Sequence, residues 1–163
     1  MTDFPGLLRA LQREKVRFIV IGGAASTAHG SARLTLNLDV VYSRTLENLR
    51  RLAAAIAPLA PRLRGAPEGL PFAWDEPTIR SGLNFTLSTS LGALDLLGNV
   101  AGGGRYENLE KDTETIHVFG VDCLFVNLDA LIRLKRAAGR RKDLEAIAEL
   151  EVIREEREKT GLR

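Results

Sequence analysis

The apolar positions of the first forty or so residues change period twice, and each change marks an element. Phe4, Leu7, Leu8 and Leu11 recur at helical spacing, with Arg9, Gln12 and Arg13 elsewhere on the cylinder, which predicts a helix over residues 4–14. Asp3 is placed to cap it, and Pro5 falls in the first turn, where a missing N–H costs little. Residues 16–21 are short and rich in β-branched side chains, the pattern of a strand buried on both faces. Gly22 and Gly23 break that strand. A two-turn helix over residues 24–29 follows, closed by Gly30. From Leu36 to Val41 the period is two: Leu36, Leu38 and Val40 face one way, and Asn37, Asp39 and Val41 the other.

Farther along, Thr45 caps a helix whose buried stripe is Leu46, Leu49, Ala53 and Ile56, with Glu47 near its positive end and Pro58 and Pro61 as its stop. Residues 62–80 are rich in Pro and Gly and read as a loop with one short strand. Residues 82–89 and 92–97 read as strands, the second apolar except for Asp95, and the triple glycine in 99–106 reads as a flexible connection. Residues 114–119 and 122–126 flank Gly120 and Val121 as a hairpin. From Leu128 onward the pattern is helical, with a polar break at residues 139–142. Asn127 or Asp129 caps the first of these helices, and Asp143 starts the second. Strands alternating with helices predict an α/β (α+β) domain with a mixed sheet, flanking helices and C-terminal helices. A chain of 163 residues is expected to form one domain over 1–163, with a core over 16–126 and helices over 128–159.

Charge narrows the field. With 23 basic and 21 acidic residues the net charge is +2, so a polyanion would have to be met by a local site rather than by the whole-molecule field. No apolar run approaches the roughly 18 residues a membrane span needs, and no basic segment leads into an apolar one near the start. The expectation is a cytoplasmic protein without membrane contact. Cys123 is the only cysteine and lies in an apolar run, as a buried thiol does; His29 and His117 are too few and too far apart for a zinc pattern.

Chemistry concentrates between Phe18 and Tyr42. Glycines at a strand-to-helix turn let backbone approach a ligand closely, and free amides at a helix start bind phosphate. The run lacks both the Gly-Lys-Ser/Thr ending of a P-loop and the glycine spacing of a dinucleotide site. Asp39 and Asp95 each interrupt an apolar strand, and a buried carboxylate needs a partner, either an arginine or a metal ion. Two such acids beside a glycine turn suit a hard, oxygen-ligated cation such as Mg²⁺. His29 reads as a packing or capping residue with a general base as the alternative, and Arg33 as a phosphate clamp or a solvated side chain. Arg136, Arg140, Arg141 and Lys142 form a basic cluster that is either a solvated helix break or a contact for RNA or triphosphate. Trp74, single and in a loop, offers a surface for base stacking.

Taken in order, Gly22-Gly23, His29-Gly30, Arg33-x-Thr35, Asn37-x-Asp39, a later Asp95 and Lys135 on a C-terminal helix resemble the signature of the nucleotidyltransferase superfamily. The likeness is to the small bacterial abortive-infection and toxin-type members. It implies a DNA polymerase β-like fold and transfer of a nucleoside monophosphate from a nucleoside triphosphate to an RNA end, a protein or a small molecule, with two Mg²⁺ ions. By the same resemblance Asn37, Asp39 and Asp95 would be the catalytic and metal-binding residues. Gly22, Gly23, Arg33, Thr35 and Lys135 would hold nucleotide and phosphate. A toxin-antitoxin or phage-defence setting, with a tRNA or protein acceptor and an antitoxin partner, is also implied. The family pattern has aspartate where this chain has Asn37. Replacing a ligand carboxylate by a neutral amide keeps an oxygen but removes a charge, so the alternative is a nucleotide-binding or regulatory module without turnover. A third reading is a structural domain in which Asp39 and Asp95 merely pair with arginines.

Overall fold

A computed structural model describes residues 1–161. Seven strands form one mixed sheet in the order β3-β4-β5-β2-β1-β7-β6. The strands are β1 (Phe18–Ile21), β2 (Asn37–Tyr42), β3 (Arg62–Leu63), β4 (Asn84–Thr89), β5 (Gly92–Leu97), β6 (Thr113–Val118) and β7 (Val121–Val126). The helices are α1 (Phe4–Arg13), α2 (Gly22–Ala28), α3 (Leu46–Ile56), α4 (Glu76–Ser81), α5 (Tyr106–Leu109), α6 (Leu128–Ala138) and α7 (Arg141–Thr160). The mixed α/β architecture is the one the alternating pattern predicts.

The central strands are fixed by burial. β1 is buried at every position, and on β2 the apolar set Leu38, Val40, Val41 and Tyr42 is inaccessible to solvent. A one-residue slip of β2 would carry Leu38 and Val40 to the opposite face, so the hydrophobic pattern specifies the register. The far end of the β1–β2 pair is clamped by Asn48, itself buried. Its Oδ1 accepts from the Arg17 amide at 2.7 Å, and its Nδ2 donates to Ser43 O at 2.7 Å and Arg17 O at 3.1 Å. Every polar atom of that side chain is satisfied, which is what makes its burial affordable.

Several helix ends follow their capping residues. Asp3 accepts from the Gly6 amide, Thr45 from Asn48 and Asn127 from Ala130. Other expectations need correction. A helix, α4, lies in the stretch read as loop. Asp75 caps it through the Thr78 amide and Pro77 sits in its first turn, a start signal that the surrounding prolines and glycines hide. Trp74 packs against Phe85, with the two rings nearly perpendicular and their centroids 5.5 Å apart. The triple glycine is not a loose connection. It turns back on itself through the Val100–Gly104 bridge, and Cβ atoms at Gly102 and Gly103 would meet Ala137 and Leu134 of α6 at 2.6 and 2.7 Å. Glycine there permits close packing rather than motion. Gly22 and Gly23 are the first residues of α2 itself, so the glycines open the helix.

Candidate active site

Sheet order, rather than proximity along the chain, brings the acids together. β2 lies antiparallel to β1 and parallel to β5, and the register sets Asp39 opposite both Ile21 and Asp95, with Asp95 in turn opposite Thr86 of β4. Paired residues share a face of the sheet, so the Asp39 and Asp95 carboxylates stand side by side, with Asn37 on the same face of β2. Leu38, Val40, Leu94 and Leu96 occupy the other face and are fully buried. The strands therefore hold the acids on a rigid support.

The turn from β1 into α2 closes against this row. Gly22 has φ +64°, and a Cβ there would collide with Asp39 Oδ2; a Cβ at Gly23 would collide with Thr35 Oγ1. Both positions require glycine for close approach, and Gly22 requires it for conformation as well. The Thr35 hydroxyl donates to Asn37 O at 3.2 Å, tying the link before β2 to the start of that strand.

The opposite wall comes from the junction of α6 and α7. Gly139, left-handed at φ +66°, ends α6 and turns the chain into α7. Lys135 lies in the last turn of α6, Arg140 caps α7, and Lys142 and Asp143 fall in its first turn. Between the two walls is a cavity of about 360 Å³, lined by Gly22, Gly23, Thr35, Asn37 and Asp39 on one side and by Lys135, Arg140, Lys142 and Asp143 on the other. Arg140 is committed to Asp143, with Nε donating to Oδ2 at 2.6 Å. Lys135 and Lys142 have no salt-bridge partner among the described residues and remain free to meet an anion.

Electrostatics mark Asp39. Burial, then the charge of Asp95 and a hydrogen bond with it, push its carboxyl up to about 7, against a smaller opposing pull from Lys142 and Lys135. Asp39 Oδ1 is buried without a hydrogen-bond partner; a proton on Asp39 gives Asp95 a donor to accept from. Burial lowers Lys135, partly offset by Asp143. Burial alone would raise Asp143, but the Arg140 guanidinium outweighs it and holds the carboxyl below its ordinary range.

The structure sorts the other candidates. Arg33 lines the cavity but leans on α7, with Nη2 3.7 Å from Glu145 and Nε 3.9 Å from Glu149. Asp95 lies outside the cavity lining and is held by Arg64, whose Nη2 reaches its Oδ1 at 2.7 Å. His29 is a strut. Its Nε2 donates to Val126 O at 2.8 Å, while Arg157 donates to its Nδ1 at 3.2 Å and to its carbonyl at 3.1 Å, joining the end of α2 to β7 and α7. The basic cluster splits: Arg140 and Lys142 reach the cavity, whereas Arg136 pairs with Glu151 and Arg141 with Glu145. Arg64 and Asp143 are the residues missed. Asp143 was readable as the start of a helix but not as a lining residue, and nothing in the sequence marked Arg64.

The donor set suits an oxygen-ligated cation in part. Asp39 and Asp95 supply carboxylates, one oxygen of Asp39 lacks any partner, and Asn37 adds an amide oxygen at the same wall. Among the described residues no third His, Cys, Asp or Glu joins them, and no helix is long and apolar enough to cross a membrane. A scan of protein-family models gives no match to this chain, and a search of curated proteins gives none either.

Proposed function

We propose that the chain is a Mg²⁺-dependent nucleotidyltransferase that moves a nucleoside monophosphate from a nucleoside triphosphate to an acceptor hydroxyl. One observation carries the reading. The Asp39 carboxylate, with one oxygen unpartnered and Asp95 beside it in register, faces unpaired Lys135 and Lys142 across a cavity of about 360 Å³. An anion-binding wall opposite an acidic wall is the arrangement that triphosphate transfer needs.

In this reading Lys135 and Lys142 neutralise the triphosphate, and the Gly22 and Gly23 amides, open because no Cβ intervenes, orient it. Asp39 and Asn37, with Asp95 beside them in register, would hold Mg²⁺, which when bound neutralises charge developing on the transferred phosphoryl group. Asp39, whose carboxyl is pushed up to about 7, would in its ionised form be the base that takes the proton of the acceptor hydroxyl. Support for the acceptor comes from the resemblance of the ordered motif alone. It favours an RNA such as tRNA, a protein or a small molecule, in a cytoplasmic toxin-antitoxin or phage-defence setting with an antitoxin partner.

Asn37 and the Arg64–Asp95 pair favour a second reading, a nucleotide-binding regulatory module without turnover, because both reduce the negative charge available to a metal. The test is to incubate the protein and its Asn37→Asp variant with each labelled nucleoside triphosphate, Mg²⁺ and total cellular RNA or protein. Transfer of label, stronger in Asn37→Asp, is expected. Silence with every nucleotide in both forms, alongside retained nucleotide binding, replaces the enzyme reading with the module.

A further inference from the structure

The polar row across the sheet does not end at Asp95. Arg64 follows β3, and its amide donates to Thr86 O at 2.9 Å, carrying the β3–β4 ladder one step further. Thr86 is the residue opposite Asp95. Along this one row the sheet therefore places Arg64, Thr86, Asp95 and Asp39, although they are scattered over residues 39–95.

The guanidinium is fixed rather than draped. Its Nη2 donates to Asp95 Oδ1 at 2.7 Å and to Leu87 O at 2.7 Å, so a main-chain carbonyl on a neighbouring strand holds the nitrogen that meets the acid. The Arg64 and Asp95 side chains are 31% and 18% exposed, so the pair is screened less than a surface pair. Arg64 Nε is buried and has no partner. Asp39 and Asp95 carry two negative charges, Arg64 returns one positive charge, and Asn37 carries none; the net of these four is a single negative charge. A pair of divalent ions brings four positive charges and is ordinarily held about 4 Å apart by shared carboxylates. The second of them would have to displace a guanidinium whose Nη2 is already held by Asp95 and by the Leu87 carbonyl.

We propose that Arg64 serves as a built-in cation at Asp95, in the place of a second metal ion, so that the site takes up one divalent cation, held by Asp39 and Asn37. This rests on the metal-dependent reading of the site and specifies its ion count. Thr86, whose side chain is exposed, adds no charge to the row, and Lys135 and Lys142 across the cavity weigh further against a second cation.

Mn²⁺ titration followed by electron paramagnetic resonance, without nucleotide and at a pH above the Asp39 titration, tests the proposal. Wild type is expected to bind one Mn²⁺ per chain. Arg64→Gln should bind Mn²⁺ about tenfold more tightly or take up a second ion, and Asp95→Asn added to Arg64→Gln should cancel that gain. Arg64→Lys, which keeps the charge, should stay near wild type. Two ions on the wild-type chain overturn the proposal without reference to any variant, as does an unchanged Mn²⁺ affinity in folded Arg64→Gln. Absence of Mn²⁺ binding in every form overturns it together with the metal reading of the site. Failure of nucleotidyl transfer with the Mn²⁺ series as expected overturns only the enzyme reading and supports the role of Arg64.

Discussion

Replacing Asp39 by asparagine should stabilise the protein, and more so the higher the pH up to about 7. The carboxyl titrates near 3.8 in an unfolded chain and is pushed up to about 7 in the folded one, chiefly by burial and by Asp95. The folded state thus holds this proton more tightly than the unfolded state. Its stability contribution is fully present below 3.8, falls as pH rises through the window between 3.8 and about 7, and is absent above it. At about 1.4 kcal/mol per tenfold change in proton affinity, that window corresponds to a ceiling of about 4 kcal/mol. Water entering the open cavity screens part of this, and about 2 kcal/mol is the working figure. Asparagine carries no charge, and its amide N–H gives Asp95 the donor that protonated Asp39 supplies. For a chain of this length, about 2 kcal/mol raises Tm by roughly 4–8 °C. Urea unfolding of wild type and Asp39→Asn at about pH 5 and about pH 8.5, without divalent ions, reads the difference directly. Groups remote from Asp39 titrate alike in both proteins and cancel. A stability difference that is the same at both pH values, or an Asp39→Asn protein that is less stable than wild type at the higher one, refutes the assignment of a strained carboxylate to Asp39.

Two further outcomes follow from the cavity walls. Lys142→Ala removes an unpaired cation from the rim of the site and should weaken nucleoside triphosphate binding about tenfold by calorimetry, with Tm nearly unchanged; equal affinity would remove Lys142 from the phosphate wall. His29→Ala deprives the buried Val126 carbonyl of its donor and leaves a void between α2 and α7, which should cost about 2–4 kcal/mol in urea unfolding. Because His29 is a strut and not a base, nucleotide affinity in the folded variant should stay within about threefold of wild type, and a large selective loss of affinity would return it to the site.

What the chain reveals about itself depends on how far the information must travel. Alternation along residues 36–41 is a local pattern, and it put Asn37 and Asp39 on one face correctly because strand period is set by the backbone alone. Likewise Gly22 and Gly23 mark a close approach wherever a buried strand meets a helix. What they approach, Asp39 and Thr35, is known only from the register. Two interrupted apolar strands carry Asp39 and Asp95, but nothing local makes those strands neighbours; the sheet order does. Arg64 carried no such mark. It lies among prolines and glycines, has no periodic context, and becomes significant only because a two-residue edge strand carries it to the row on which both acids stand.

The same contrast bears on how Asn37 is read. An Asn37 seen in sequence looks like one lost charge in an otherwise complete acidic set, which argues for impaired metal binding. With Arg64 on Asp95 the set is smaller still, and the two features have the same sign: each lowers the negative charge of a sheet face that includes an unpartnered carboxylate oxygen on Asp39. Restoring aspartate at position 37 and removing the guanidinium at 64 should therefore act on the same quantity. If both act through one ion-binding locus, the affinity gained by Asn37→Asp and Arg64→Gln together will differ from the sum of their separate gains, as neighbouring charges in one network do. Strict additivity of the two gains would place Asn37 and Arg64 in separate sites, and the row across β3, β4, β5 and β2 would then be a structural salt bridge beside a site rather than the site itself.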